Sequence, residues 1–396
     1  MKVLVADKLH ADVVEKLKTL ADECVYEPSL KAEDLAGAIG EADALIVRST
    51  KVGSDAIQAG KRLSLIIRAG AGVNTIDLEA ASGRGVSVCN CPGKNAVAVA
   101  ELAVALMLCW DRRIPCGVAA LRNKQWDKGE YSKATGFQGR KVGILGLGSI
   151  GEAVIERLKG FHVEVLAWSR SLTPERAGEM GVTYCATPEA VARQSSVVSV
   201  HVALNSDTRG MLGEQFFNCM DPGDIFINTC RAEVVDRDAL LAALNKGVLV
   251  GTDVFHEEPA GKQGEFRCEI AQHPNLYGSH HIGASTTQSE LDTGMEAARI
   301  VEAFSNGAPL PNCVNVRTTP KDSPSIVVRH EDRVGVLAGV FKTLKEAGIS
   351  VQEMENTVFE GAKAASARIV CDKCPSAEQL TKLESCDGVF AARLSA

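Results

Sequence analysis

The sequence predicts an α/β protein: two successive parallel-sheet domains followed by a small α+β module. Three observations carry that prediction. Short apolar runs alternate with amphipathic stretches in two consecutive series, the second series opens on a glycine-rich turn, and a polar stretch then separates a last strand–helix pattern. The 396 residues suffice for several domains, and 45% hydrophobic content with 36 glycines fits a large core crossed by many tight turns.

In the first series "KVLVAD", "ALIVRS", "LSLIIRAG" and "VSVCNCPG" read as strands, with "ADVVEKLKTL" and "SDAIQAG" as helices between them. A long helix from Asn95 to about Arg113 leads into the second series, with strands in "RKVGILGLGSIG", "HVEVLAWSR", "SSVVSVHVAL", "DIFINTC" and "VLVGTDVF". The helical "TQSELDTGMEAARIVEAFSNG" follows, and "APLPNCVN" marks a proline-containing exit. "RTTPKDSP" is a polar, turn-forming linker, beyond which "SIVVRHEDRVGVLAGVFKTLKEAGISVQEMENT", "KAASARIVCD" and "VFAARL" supply strands around two helices. These divisions place residues 1–94 and 285–316 in a first domain, 95–284 in a second, 317–324 in a linker and 325–396 in the terminal module.

The formal charge of −7 is spread over interspersed acids and bases, which disfavours a nucleic-acid surface and leaves room for local clusters that hold a small anion. "AVAVAELAVALMLCW" is interrupted by Glu101 and too short to span a bilayer, so it reads as a core helix and no membrane association is expected. "MKVLVADKLH" reads as a buried strand and not as a leader, and 13 irregularly spaced cysteines form no disulfide framework; both point to a reducing cytoplasm. The pairs Cys89/Cys91 and Cys371/Cys374 each offer half of a zinc site, but the halves lie far apart in sequence without nearby histidines, so no metal is expected.

In "VGILGLGSIG", Gly146, Gly148 and Gly151 form G-x-G-x-x-G between an apolar strand and a helical stretch. Gly146 permits the tight turn, Gly148 lets backbone approach a pyrophosphate, and Gly151 allows close helix packing, while Ser149 and Ile150 begin a helix whose N-terminus faces phosphates. A dinucleotide site of this kind carries an acid at the end of its second strand to bind the ribose hydroxyls. Here "LAWSRS" puts Ser169 and Arg170 there, so NAD and NADP both stay open: Arg170 either meets a 2′-phosphate or points into water.

The motifs "RAGAGVNTID", "GLGSIG", "NTCRAEVVDRDAL", "DVFHEEP" and "SHHIGAST", in this order, give a chain that resembles the D-isomer-specific 2-hydroxyacid dehydrogenases over nearly its whole length. The resemblance implies a catalytic arginine, glutamate and histidine at Arg231, Glu258 and His281. Those residue types suit alcohol oxidation: a histidine takes the hydroxyl proton, a carboxylate fixes its tautomer, and an arginine holds a substrate carboxylate. Taken singly, Glu258 reads as a solvated acid in a turn and Arg231 as a surface ion pair. Asp253 is expected beside the nicotinamide by the same likeness, or else caps a helix.

Arg48 and Arg68 end strands, Gly70 sits in a turn whose N–H groups suit a carboxylate, and Asn95 either hydrogen-bonds substrate or caps the interdomain helix. Two strand-end arginines suit a doubly anionic substrate, the alternative being a pair of surface salt bridges. Ala232 and His280 depart from the family pattern, which has glycine and proline there, and Cys230 beside Arg231 raises the idea of oxidation sensitivity. His280 points away from His281 if the chain is locally extended.

"RHEDRVGVLAGVFKTLKEAGISV" resembles the ACT domain, a ββαββα-type module that implies homodimers or homotetramers and an amino-acid effector. His330 is retained, whereas Asp332 and Ser350 stand where serine-sensitive members carry asparagines. The likeness implies substrate-binding, Rossmann and ACT-like domains, and oxidation of 3-phospho-D-glycerate to 3-phosphohydroxypyruvate at the entry to serine synthesis. An NADPH-dependent glyoxylate or hydroxypyruvate reductase shares the triad, and a nicotinamide-sensing corepressor or scaffold could share the fold.

Overall fold

The computed structural model describes residues 1–259, 263–317, 319–320 and 322–395. Positions 318 and 321 of the expected linker, and 396, lie outside the described residues. The chain divides into two compact units, Met1–Asn315 and a second beginning at Val316.

Among the described residues the strands form three sheets. The first contains β1 (Lys2–Val5), β2 (Glu23–Tyr26), β3 (Ala44–Val47), β4 (Leu65–Arg68) and β5 (Ser87–Asn90), all parallel, in the order 2-1-3-4-5. The second contains β6 (Lys141–Leu145), β7 (Glu164–Trp168), β8 (Thr183–Tyr184), β9 (Val197–Val200), β10 (Ile225–Asn228), β11 (Leu249–Thr252) and β12 (Leu276–Gly278). It is parallel throughout, in the order 12-11-10-9-6-7-8. Helices cover both faces, which is why β3, β9 and β10 are buried along their whole length and read as apolar runs, broken only by Ser199 in β9 and Asn228 in β10.

The helix Ala96–Arg112 carries the chain from the first sheet to the second, and Trp110 fastens its far end. The indole N–H donates to the Val250 carbonyl at 2.8 Å and the ring stacks on Tyr277 at 3.7 Å. The helix Thr287–Ser305 returns to the first sheet, where Gly294 packs so closely on Val13 that a Cβ would lie 2.6 Å from its methyl. Among the described residues no helix is long and apolar enough to cross a membrane.

The second unit holds β13 (Ser325–Glu331), β14 (Val351–Val358), β15 (Ala364–Cys371) and β16 (Val389–Leu394), antiparallel in the order 14-15-13-16. With helices Val336–Glu346 and Ala377–Glu384 its order is β-α-β-β-α-β, not the ββαββα expected. No strand forms between Glu331 and the first helix, because Gly335 at φ +95 turns the chain directly into it. His330 is buried; its Nε2 lies 3.1 Å from Asn356 Oδ1 and its Nδ1 2.7 Å from the Glu331 carbonyl, so both ring nitrogens have partners inside the module.

Asp7, just past β1, fixes the loop that follows β3. Its Oδ2 accepts the N–H groups of Arg48 (2.7 Å), Ser49 (3.0 Å) and Thr50 (2.9 Å), and its Oδ1 accepts the Ser49 hydroxyl at 3.1 Å. Burial alone would raise this carboxyl, but the hydrogen bonds led by those of Thr50, Arg48 and Ser49 outweigh it and hold the group below its ordinary value. Asp7→Ala strands those N–H groups and should cost about 2–4 kcal/mol in denaturant unfolding near neutral pH. A depressed folded pKa stabilises above the unfolded value of about 4, and that contribution is lost as pH falls through the folded value. The gap between wild type and variant should therefore narrow below about pH 4.

Candidate active site

The C-terminal ends of both sheets in the first unit supply the site, as expected where ligands meet open parallel sheets. The turn after β6 tests whether a dinucleotide fits. Gly146 sits at φ +95, and a Cβ there would lie 2.6 Å from the His201 carbonyl; one on Gly151 would lie 2.1 Å from the Gly146 carbonyl. At Gly148, by contrast, a Cβ would meet nothing within 4 Å, so the backbone faces open space. Gly148 also N-caps the helix Ser149–Leu158 without a side-chain cap, which leaves the first-turn N–H groups, those of Ser149 and Ile150 among them, available to an anion.

Nearby, His201 Nδ1 past β9 and Thr229 Oγ1 past β10 are buried with no hydrogen-bond partner among the described residues. Burial pushes His201 down to about 4, so it is neutral at physiological pH and poorly suited to carry a proton. The open glycine, uncapped helix and orphaned polar atoms fit a bound dinucleotide. Ser169 is half-buried at the end of β7, and Arg170 is exposed with its guanidinium on Asp207.

Three loops bring Arg231, Glu258 and His281 to the same rim. His281 Nδ1 lies 2.8 Å from Glu258 Oε2, and Glu258 is held in turn by the Phe255 N–H on Oε1 at 2.9 Å. His281 occupies the left-handed region at φ +53, so the chain is turned here and not extended. That turn, rather than strand alternation, separates the neighbours: His281 pairs with Glu258 and lines the cleft.

The turn is enforced by Asp253, whose buried carboxylate accepts the Ser279 hydroxyl (2.6 Å) and the N–H groups of Ile282 (2.9 Å) and Gly283 (2.7 Å). Asp253 caps no helix. In this structure it anchors the histidine loop. Arg231 Nη1 donates to the Cys230 carbonyl at 2.6 Å, and its Nη2 reaches to 3.7 Å from where a Gly72 Cβ would stand, on the first domain's turn. Cys230 is enclosed, and desolvation pushes its thiol up to about 11, which removes the basis for a reactive thiol.

His281 opens on a cleft of ≈ 190 Å³ lined also by Lys8, Arg48, Ser49, Arg68, Gly70 and Asn95. Arg68 Nε is buried without a partner among the described residues. Desolvation, then the positive charges of Arg231 and Arg48, pull its guanidinium below its ordinary value. It lies across Gly70, where a Cβ would come within 1.8 Å of Nη1. The Gly70 N–H is already given to the Arg68 carbonyl at 2.8 Å, so it is not offered to a ligand as expected. Arg48 is ion-paired, Nη1 to Glu290 Oε1 at 2.7 Å, while also lining the cleft, whereas Arg68 has no ion pair among the described residues. Asn95 N-caps the interdomain helix by position but its side chain makes no capping bond and instead lines the cleft. Lys8 escapes the sequence reading, although its place just past β1 obeys the same strand-end rule.

Residues 104–283 match the family model described as "D-isomer specific 2-hydroxyacid dehydrogenase, NAD binding domain". Relatives named D-3-phosphoglycerate dehydrogenase are 33% identical in Archaeoglobus fulgidus, over 82% of this chain and 60% of that one, and 34% identical in Mycobacterium bovis, over 88% and 66%. The chain is thus similar to the D-isomer-specific 2-hydroxyacid dehydrogenases, and residues 104–283 match that family's NAD-binding domain. The matched stretch contains the whole second sheet. An NAD⁺-bound 3-phosphoglycerate dehydrogenase of Entamoeba histolytica superposes with a TM-score of 0.65 at 27% identity, covering 80% of this chain and 99% of that one. The chain spans between 60% and 66% of the length of those two sequence relatives.

Proposed function

We propose that this protein oxidises 3-phospho-D-glycerate to 3-phosphohydroxypyruvate with NAD, the first step of serine synthesis. One observation carries the reading: the His281–Glu258 pair opens onto a cleft where the half-buried Arg68, its Nε enclosed and unpartnered, has no ion-paired carboxylate among the described residues. A substrate with a carboxylate at one end and a phosphate at the other supplies both missing charges. The relatives named for this activity support it.

Bound NAD supplies the hydride-accepting nicotinamide ring. Gly146, Gly148, Ser149, Ile150 and Gly151 would hold its pyrophosphate, with Ser169 and Arg170 toward the adenosine ribose. Arg231 grips the substrate carboxylate and polarises the adjacent C–O bond. Arg68, Arg48 and Lys8 face the phosphate end, and Asn95 hydrogen-bonds the chain between. His281 Nε2 accepts the hydroxyl proton as the C–H bond breaks, while Glu258 on Nδ1 fixes the tautomer and stabilises the imidazolium. In the reverse direction His281 returns the proton.

The protein acts as a homo-oligomer on this reading. The helix Ile114–Arg122 has no buried residue and presents Ile114, Val118 and Leu121, with Trp126 exposed beyond it. Such a face on a metabolic enzyme is normally covered. The C-terminal module adds an exposed edge in β14 and, as an ACT-like unit, a place for an amino-acid effector. Light scattering at micromolar concentration should give a dimer or larger; a monomer mass would overturn self-association.

His281→Ala should lower kcat by about 10²–10⁴-fold with KM for phosphoglycerate little changed, as loss of general acid–base help implies. Near-normal turnover would remove His281 from its role.

A further inference from the structure

The end of β7 lacks the carboxylate that selects a free ribose 2′-hydroxyl in such folds, offering Ser169 and Arg170 instead. A cation there should welcome a 2′-phosphate. Arg170 is not free, however: its Nη1 donates to Asp207 Oδ2 at 3.3 Å. Asp207 belongs to a different loop, the one after β9, which the sheet order places near β7 with only β6 between them.

That loop is fixed without help from the ion pair. Asn205 Oδ1 accepts the N–H groups of Asp207 (2.9 Å) and Thr208 (3.1 Å). The Thr208 hydroxyl accepts the Asn205 N–H (2.9 Å) and donates to the Ala203 carbonyl (2.6 Å). The Arg170–Asp207 pair is largely exposed on both sides, so it contributes little to stability. Its consequence is local: a carboxylate held beside the cation at the end of β7 that would receive a phosphate.

We propose that Asp207 sets the choice of nucleotide at the adenosine ribose. Its carboxylate replaces the acid absent from β7: it repels a 2′-phosphate and occupies the Arg170 guanidinium, so the site takes NAD in preference to NADP. With Asp207 neutral, Ser169 and Arg170 are left as a hydroxyl and a cation, the pair that suits a 2′-phosphate. The inference rests on the reading of the Gly146–Gly151 turn as a dinucleotide site.

The test is calorimetric binding of ADP-ribose and 2′-phospho-ADP-ribose to wild type, Asp207→Asn, Asp207→Lys and Asp207→Asn/Arg170→Ala, which needs no turnover. Wild type should bind ADP-ribose the more tightly. Asp207→Asn should tighten 2′-phospho-ADP-ribose by about fivefold or more with ADP-ribose changed less than about twofold, and Asp207→Lys should tighten it further. The gain should vanish in the double variant and shrink at about 0.5 M salt. An unchanged preference in both single variants overturns the role of Asp207. Failure of wild type to bind either nucleotide overturns the dinucleotide reading itself.

Discussion

The site depends on one hydrogen-bonded block at the ends of β10 and β11. Asp253 takes three donors from the loop Ser279–Gly283, and its own N–H is given to the Asn228 carbonyl at 3.0 Å. Asn228 in turn donates its side-chain N–H to the Arg231 carbonyl at 3.0 Å. The histidine loop and the arginine loop are therefore tied through two adjacent strand ends, and neither moves without breaking buried hydrogen bonds. The left-handed backbone of His281 is a conformation an unsupported chain avoids, and the Ile282 and Gly283 N–H groups bound to Asp253 hold it there.

The charges are divided in a consistent way. Asp7 and Asp253 are buried acids saturated by backbone N–H groups, and they build loops. Of the arginines at neighbouring strand ends, Arg48 is paired with Glu290 and Arg68 is left incomplete. Arg68 bears desolvation and the repulsion of Arg231 and Arg48, with no carboxylate paired to it among the described residues. Such a group costs stability in the empty protein and would be relieved when an anion enters, so on the proposed function the same energy favours anionic substrates.

Much of this architecture is legible in the sequence because buried parallel strands are apolar runs, and residues past their ends fall at the binding edge. Gly146, Arg231, Glu258 and His281 are legible that way, helped by family likeness. Edge strands β2, β8 and β12 are poorly covered, β8 not at all, and so carry no run of buried apolar residues for a pattern to show. The work of Asp253 is not legible, since accepting N–H groups from residues nearly thirty positions later leaves no trace in spacing. The pairings of Arg48 with Glu290 and Arg170 with Asp207 join distant segments for the same reason. In the C-terminal module the local pattern, a strand, a loop and then a helix, agrees with the structure, and only the strand order implied by the family likeness does not: Gly335, four residues past the end of β13, starts the helix before another strand forms.

Substrate choice by an uncompensated cationic cleft is the central claim, and an initial-rate comparison with NAD tests it most directly. With 3-phospho-D-glycerate, D-glycerate and D-lactate as substrates, kcat/KM should favour the phosphorylated acid by about 10²-fold or more, the scale of a charge-assisted contact pair. Equal or lower kcat/KM for phosphoglycerate would contradict the assignment of Arg68 and its neighbours to the phosphate.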